Sequence, residues 1–219
     1  GSVTNGTITV IEKFYGTDID PIPSHPSALT ALGYKFLHGY DFSLVKYSVR
    51  HCFDFIKGMQ RSAALFINNE TPQLLKKQLE EAKKIIDHAS LKIINTVKTA
   101  SELSVPAMLD LAHFVRYKFK SSMQELLIIF GKMDAWYGMA IAFEKYDLVM
   151  PEFTESEKPV FEALNLYHLM LEKPVSYNIK LNRETNFLFL TGANMAGKST
   201  FIKACGTACY LAHTGMGVP

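Results

Sequence analysis

Apolar residues recur at helical spacing through most of positions 28–146, and this period sets the expected architecture. Ala28, Leu29, Leu32 and Phe36 mark a helix over 28–37 with Gly39 as its stop, and a second helix is expected from about Ser43 to Arg61. Asn69-Glu-Thr-Pro72 reads as a helix start, with Thr71 as cap and Pro72 at the first helical position. Leu75, Leu79, Ala82, Ile86, Ala89, Ile93 and Val97 then keep a heptad-like spacing, which predicts one amphipathic helix reaching about Thr99. Glutamates interleave with its lysines, as on a solvated face rather than a DNA contact. Ser101 or Ser104 caps the next helix, near Pro106–Lys118. There Arg116, Lys118 and Lys120 alternate with Tyr117 and Phe119, a pattern that can grip nucleic acid. The preference of helix C-termini for cations explains the cluster without a ligand. A last helix, about Ser121–Tyr146, is apolar around most of its circumference and is expected at the centre of the helical layer.

The pattern changes at both ends of this stretch. Thr7–Ile11 is β-branched and reads as a short strand, and Asp20–Pro26, with three prolines, as a linker. Asp147–Pro159 is polar with two prolines and marks a domain boundary, giving a helical domain over 1–150 and a second domain over 151–219. Val160–Met170 and Val175–Leu181 read as extended segments, and Phe187-Leu-Phe-Leu190 as a fully buried parallel strand. Phe201, Ile202, Cys205, Ala208, Cys209 and Ala212 then restore the helical period until Gly215-Met-Gly217.

Between that strand and that helix lies Gly192-Ala-Asn-Met-Ala-Gly-Lys-Ser199, which is G-x-x-x-x-G-K-[ST]. A chance match in a chain of this length is on the order of one in a hundred. The residue types suit a phosphate. Glycines let backbone N–H groups curl around an anion, and the helix behind adds its free first-turn donors and positive dipole end. Lys198 is expected to reach the β- and γ-phosphates of ATP, and the Ser199 hydroxyl to sit on Mg²⁺. The expected nucleotide-binding residues are Gly192, Ala193, Asn194, Met195, Ala196, Gly197, Lys198, Ser199 and Thr200.

Composition changes this picture little. A formal net charge of +2 is too balanced to demand nucleic acid or an anionic membrane. Cys52, Cys205 and Cys209 make no disulfide framework, and the last two read as small helix residues rather than metal ligands. The expectation is a reducing, cytoplasmic setting, with no apolar run near the roughly 20 residues needed to span a bilayer and no signal peptide. Gly1-Ser2 reads as a cloning scar. The end at Pro219, one helix past the loop, reads as a fragment that lacks the acidic strand needed for hydrolysis; Asp110 lies in a helical pattern and does not supply it.

On these residues the chain resembles the MutS family of DNA mismatch-repair ATPases. Thr191-Gly-Ala-Asn-Met-Ala-Gly-Lys-Ser-Thr200 is similar to the family's T-G-P-N-M-[AG]-G-K-S-T, with Ala193 in place of proline. Gly215-Met-Gly-Val-Pro219 resembles its G-x-x-V-P-A. Lys132–Ala140 and Asp147–Phe153 are similar to its D-x-L-x-S-x-A helix and the Y-x-x-P-x-F near which it ends. Leu166-Tyr-His-Leu-Met170 and Pro174–Asn178 resemble the G-R-H-P and F-x-x-N segments, though Leu169 replaces the proline and the Gly-Arg before His168 is absent. The resemblance covers about residues 125–219.

It implies a mainly α fold class: a helical lever or core domain followed by the first strands, loop and helix of an incomplete P-loop α/β ATPase domain. It also implies ATP and Mg²⁺ as cofactors, Val175 or Tyr177 against the adenine, DNA as partner and a homodimer in the full-length protein. The family's mismatch-reading F-x-E has no match here, so the parent's role in mismatch repair or in another DNA transaction stays open. A P-loop protein with a helical protein-interaction module and no DNA role is the alternative. A third reading is a purely structural domain whose loop is inactive.

Overall fold

The computed structural model describes residues 3–219, so Gly1-Ser2 lies outside the described residues. The fold is mainly helical with one small antiparallel sheet. It divides into two compact units, the first reaching Asp134 and the second starting at Ala135.

The first unit is built around α3 (Gly39–Phe66), which buries Val45, Val49, Cys52, Phe53, Phe55 and Ile56. Ahead of it come α1 (Asn5–Gly16) and α2 (Ala28–Leu37). The segment expected as a strand over Thr7–Ile11 is part of α1. Thr4 and Thr7 form a reciprocal capping box there, and Thr7, Ile11 and Phe14 turn one face inward at helical spacing. Local capping and burial outweigh the β preference of a Thr-Ile-Thr-Val-Ile run. Gly39 does not end a helix so much as open α3, with His38 alone between α2 and α3.

The helix expected to run to Thr99 ends at Ile86, as α4 (Gln73–Ile86), with Pro72 at the cap position. Thr71 does not cap α4; its hydroxyl donates back to Phe66 O and Asn68 Oδ1. Beyond α4 the backbone turns extended at His88, and a 3-10 turn (Ala89–Leu91) and short α5 (Ile93–Thr96) follow. Ser104 does cap α6 (Val105–His113), which passes into a five-residue π-helical stretch, Phe114–Lys118. Arg116 in that stretch donates to Phe14 O and Thr17 O at the end of α1, so its charge closes a helix C-terminus rather than facing a ligand.

The long helix α7 (Lys120–Lys145) is not central along its length: only Met123, Leu126 and Ile129 are buried. By length and composition α7 is apolar enough to cross a membrane, which corrects the expectation that no segment approaches that limit.

In the second unit, β1 (Phe161–Leu166) and β2 (Tyr177–Leu181) pair antiparallel, with Glu162 opposite Lys180 and their side chains 3.0 Å apart. Leu166 and Ile179 pack with Ala204 and Ala208 of α8 (Lys198–His213) into a small apolar cluster. Phe187–Leu190 forms no strand. Phe187 and Phe189 are each 79% exposed, against the expectation of a buried parallel strand. A strand needs a neighbour for its backbone groups, and none lies beside this run among the described residues.

Candidate nucleotide site

The loop Gly192–Gly197 leads directly into α8, whose first residue is Lys198. Gly197 takes the cap position at φ +85°, a conformation that glycine adopts without steric cost. Met195, at φ +67°, is the second left-handed residue of the loop, and its side chain is fully exposed. Together the two left-handed residues fold the chain back on itself, with Ala196 N–H bonded to Ala193 O at 3.3 Å. No side chain caps α8. Its first-turn N–H groups therefore open at the mouth of the loop, where the helix dipole is positive.

Lys198 turns back over the loop instead of outward. Its Nζ donates to Gly192 O and to Ala193 O, both at 2.6 Å. Those carbonyls are also the groups an incoming anion would repel, so the ammonium both closes the loop and neutralises its entrance. Ser199 is exposed, and among the described residues its hydroxyl makes no hydrogen bond. Asn194, Ala193 and Ala196 are exposed, while Thr200 is half-buried on the first turn of α8.

This geometry stands beside a distant sequence likeness. Over 133 residues the chain is 27% identical to the DNA mismatch repair proteins MutS of Staphylococcus aureus strains JH9, Newman and Mu3. That alignment covers 58% of this chain and 15% of each relative, so the chain spans about a seventh of the length of the curated relatives it matches. No family model matches the chain, and no solved structure does. The likeness is MutS-like and distant.

The two residues expected against an adenine ring fall in different settings. Tyr177 opens β2, with its ring 4.7 Å from that of Phe201 and its hydroxyl donating to Phe201 O at 3.4 Å. Burial, and then Cys205, push its phenol pKa up. Tyr177 is thus tied to the first turn of the helix that carries Lys198. Val175, 83% exposed, lies before β2 and packs on nothing in the small core. In the sequence Phe201 stands out only as a helix-face residue. Its position directly after the Ser-Thr pair is the signal that it links the loop helix to β2. Cys205 and Cys209 are half-buried and free, one turn apart on α8, and burial raises the Cys205 thiol.

Proposed function

We infer that this chain is the ATP-binding segment of a MutS-like DNA mismatch-repair ATPase. In the parent protein, ATP binding and hydrolysis would be coupled to clamping on DNA. The observation that carries the reading is the G-x-x-x-x-G-K-[ST] loop folded into an uncapped helix start, with Lys198 curled over it. The distant MutS likeness supports the same assignment.

The residues fit the group. Backbone N–H groups of the first turn of α8 face the side from which an anion would approach, and Gly197 leaves no Cβ in its path. Lys198 exchanges two carbonyl acceptors for phosphate oxygens, and the Ser199 hydroxyl stands free as a Mg²⁺ ligand. Tyr177, anchored on Phe201, is the better placed of the two candidates for the adenine. When bound, the Mg²⁺ nucleotide supplies the charge that biases the attached helices between two arrangements. DNA as partner, a homodimer in the full-length protein and a cytoplasmic location belong to the same reading.

Calorimetric titration of the full-length parent with ATP and Mg²⁺ tests it. Binding is expected, with a loss on the order of a hundredfold or more in Lys198→Ala, which removes the one charged group on the loop. Unchanged affinity in that variant would overturn the site. A gel shift on mismatched duplex, with and without ATP, separates the repair reading from a P-loop protein with no DNA role. Absence of any shift favours the latter.

A further inference from the structure

The first unit contains a cavity of about 700 Å³ that the loop chemistry does not use. Its walls come from the proline-rich linker, the 3-10 turn after α4, the α5 start, α6 and the π-helical stretch. Leu111, Ile93 and the ring of Phe114 supply apolar wall, while His25, His113 and Lys118 supply polar groups. That volume and that mixture suit a small organic ligand.

Two of the polar groups are held in place, His25 by Asp110 of the same wall and His113 by a carbonyl outside the cavity. His25 stands at φ +45° immediately before Pro26, a conformation unfavourable for a side chain and for a residue preceding proline. Asp110 holds it there: Oδ1 accepts from the His25 main-chain N–H at 2.9 Å and lies 2.9 Å from Nδ1. Such strain persists only where its surroundings enforce it, and it gathers at sites that bind. His113 is pinned independently, its Nδ1 donating to Ile22 O at 2.8 Å. A carbonyl only accepts, so the proton is on Nδ1, and in the neutral ring Nε2 keeps a lone pair for an incoming hydroxyl. Lys118 is exposed and, among the described residues, pairs with no carboxylate. The π-helical stretch that ends on Lys118 is a local departure found often at functional sites. Phe114, in the same stretch, is backed by His88 at 4.8 Å and Phe119 at 5.3 Å.

We propose that this cavity binds a nucleoside monophosphate. Lys118 holds the phosphate, His113 Nε2 accepts from a sugar hydroxyl, and Phe114 with Leu111 covers the base. The class follows from the donor set: one unpaired ammonium for an anion, one fixed acceptor for a hydroxyl, and a backed aromatic ring for a flat apolar body.

Titration calorimetry with AMP, adenosine and ribose 5-phosphate tests the assignment on this chain. AMP is expected to bind more tightly than either half by at least about tenfold. Lys118→Ala is expected to weaken AMP about tenfold or more while leaving adenosine unchanged. Repeating the titration in a Lys198→Ala background removes the loop's contribution, and Lys118→Ala is expected to weaken AMP about tenfold or more there as well. Absence of heat at millimolar AMP overturns the proposal, as does equal affinity in Lys118→Ala. A Lys118→Ala effect that disappears in the Lys198→Ala background also overturns it, by placing AMP in the loop. The Lys118 side chain is exposed and, among the described residues, makes no hydrogen bond or ion pair, so its replacement does not threaten the fold.

Discussion

Cys52 lies at the centre of α3, and burial pushes its thiol up to about 12 from an ordinary 9.0. Burial, then Asp41 and Asp20, raise the Tyr34 phenol from 10.0 to about 12, and burial raises Tyr15 in the same direction. In the unfolded chain these groups lose their protons first. The folded state therefore holds more protons at alkaline pH, and stability declines as pH rises. The window follows from the values: full stability below about pH 9, and loss through about 12. Urea midpoints between pH 8 and 11 are expected to fall, and Cys52→Ala is expected to flatten the first part of that fall, before the tyrosines contribute. A midpoint that holds constant to pH 11 would contradict the burial of all three groups. The loop is equally a matter of single residues. Gly197 as the left-handed residue and Lys198 as the first helical one follow from the motif, because each depends on backbone geometry within a few positions. The inward fold of Lys198 onto Gly192 and Ala193 has no counterpart in the sequence, since it depends on where two carbonyls point.

Elements with strong local signals were legible, and those decided by distant packing were not. Helix α2 matches its expected bounds, and Ser104 caps α6, because cap chemistry and helical spacing act over a few residues. In α1 a β-branched run concealed a helix, and only the Thr4–Thr7 pair hinted at it. Past α4 the heptad-like spacing continues through Ala89, Ile93 and Val97 although the helix does not. Leu91 and Ile94 turn into the core instead, and Lys57 clamps Ile94 O, Val97 O and Lys98 O. The C-terminal end carries a sharper constraint. Val149 and Val218 exchange both backbone hydrogen bonds, at 2.8 and 2.9 Å, and Gly217 lies beneath Phe143. A Cβ at Gly217 would meet the Phe143 ring at 2.6 Å and Leu148 Cβ at 2.9 Å. Gly217→Ala is expected to destabilise the second unit by about 1–3 kcal/mol, read as a lower urea midpoint for its unfolding. A midpoint within experimental error of the parent would show that Phe143 swings aside freely.

At the scale of the whole molecule, buried apolar surface is unevenly shared. The core around α3 draws on residues from Ile11 to Ile129, whereas the cluster between the β1–β2 pair and α8 buries four residues: Leu166, Ile179, Ala204 and Ala208. Local opening follows burial. Amide hydrogen exchange is expected to be slower in α3 than in α8 by at least about tenfold, and equal rates would contradict the difference in packing. The same imbalance explains why the sequence announced a mainly helical chain but misread Phe187–Leu190. Composition marks such a run for burial, while no strand lies beside it among the described residues. Left in water, four consecutive uncharged apolar side chains behave as an adhesive, and concentrating this chain brings identical runs together faster than it brings in anything that would cover them. Its colloidal behaviour, more than its folding, then sets the highest concentration at which it can be handled.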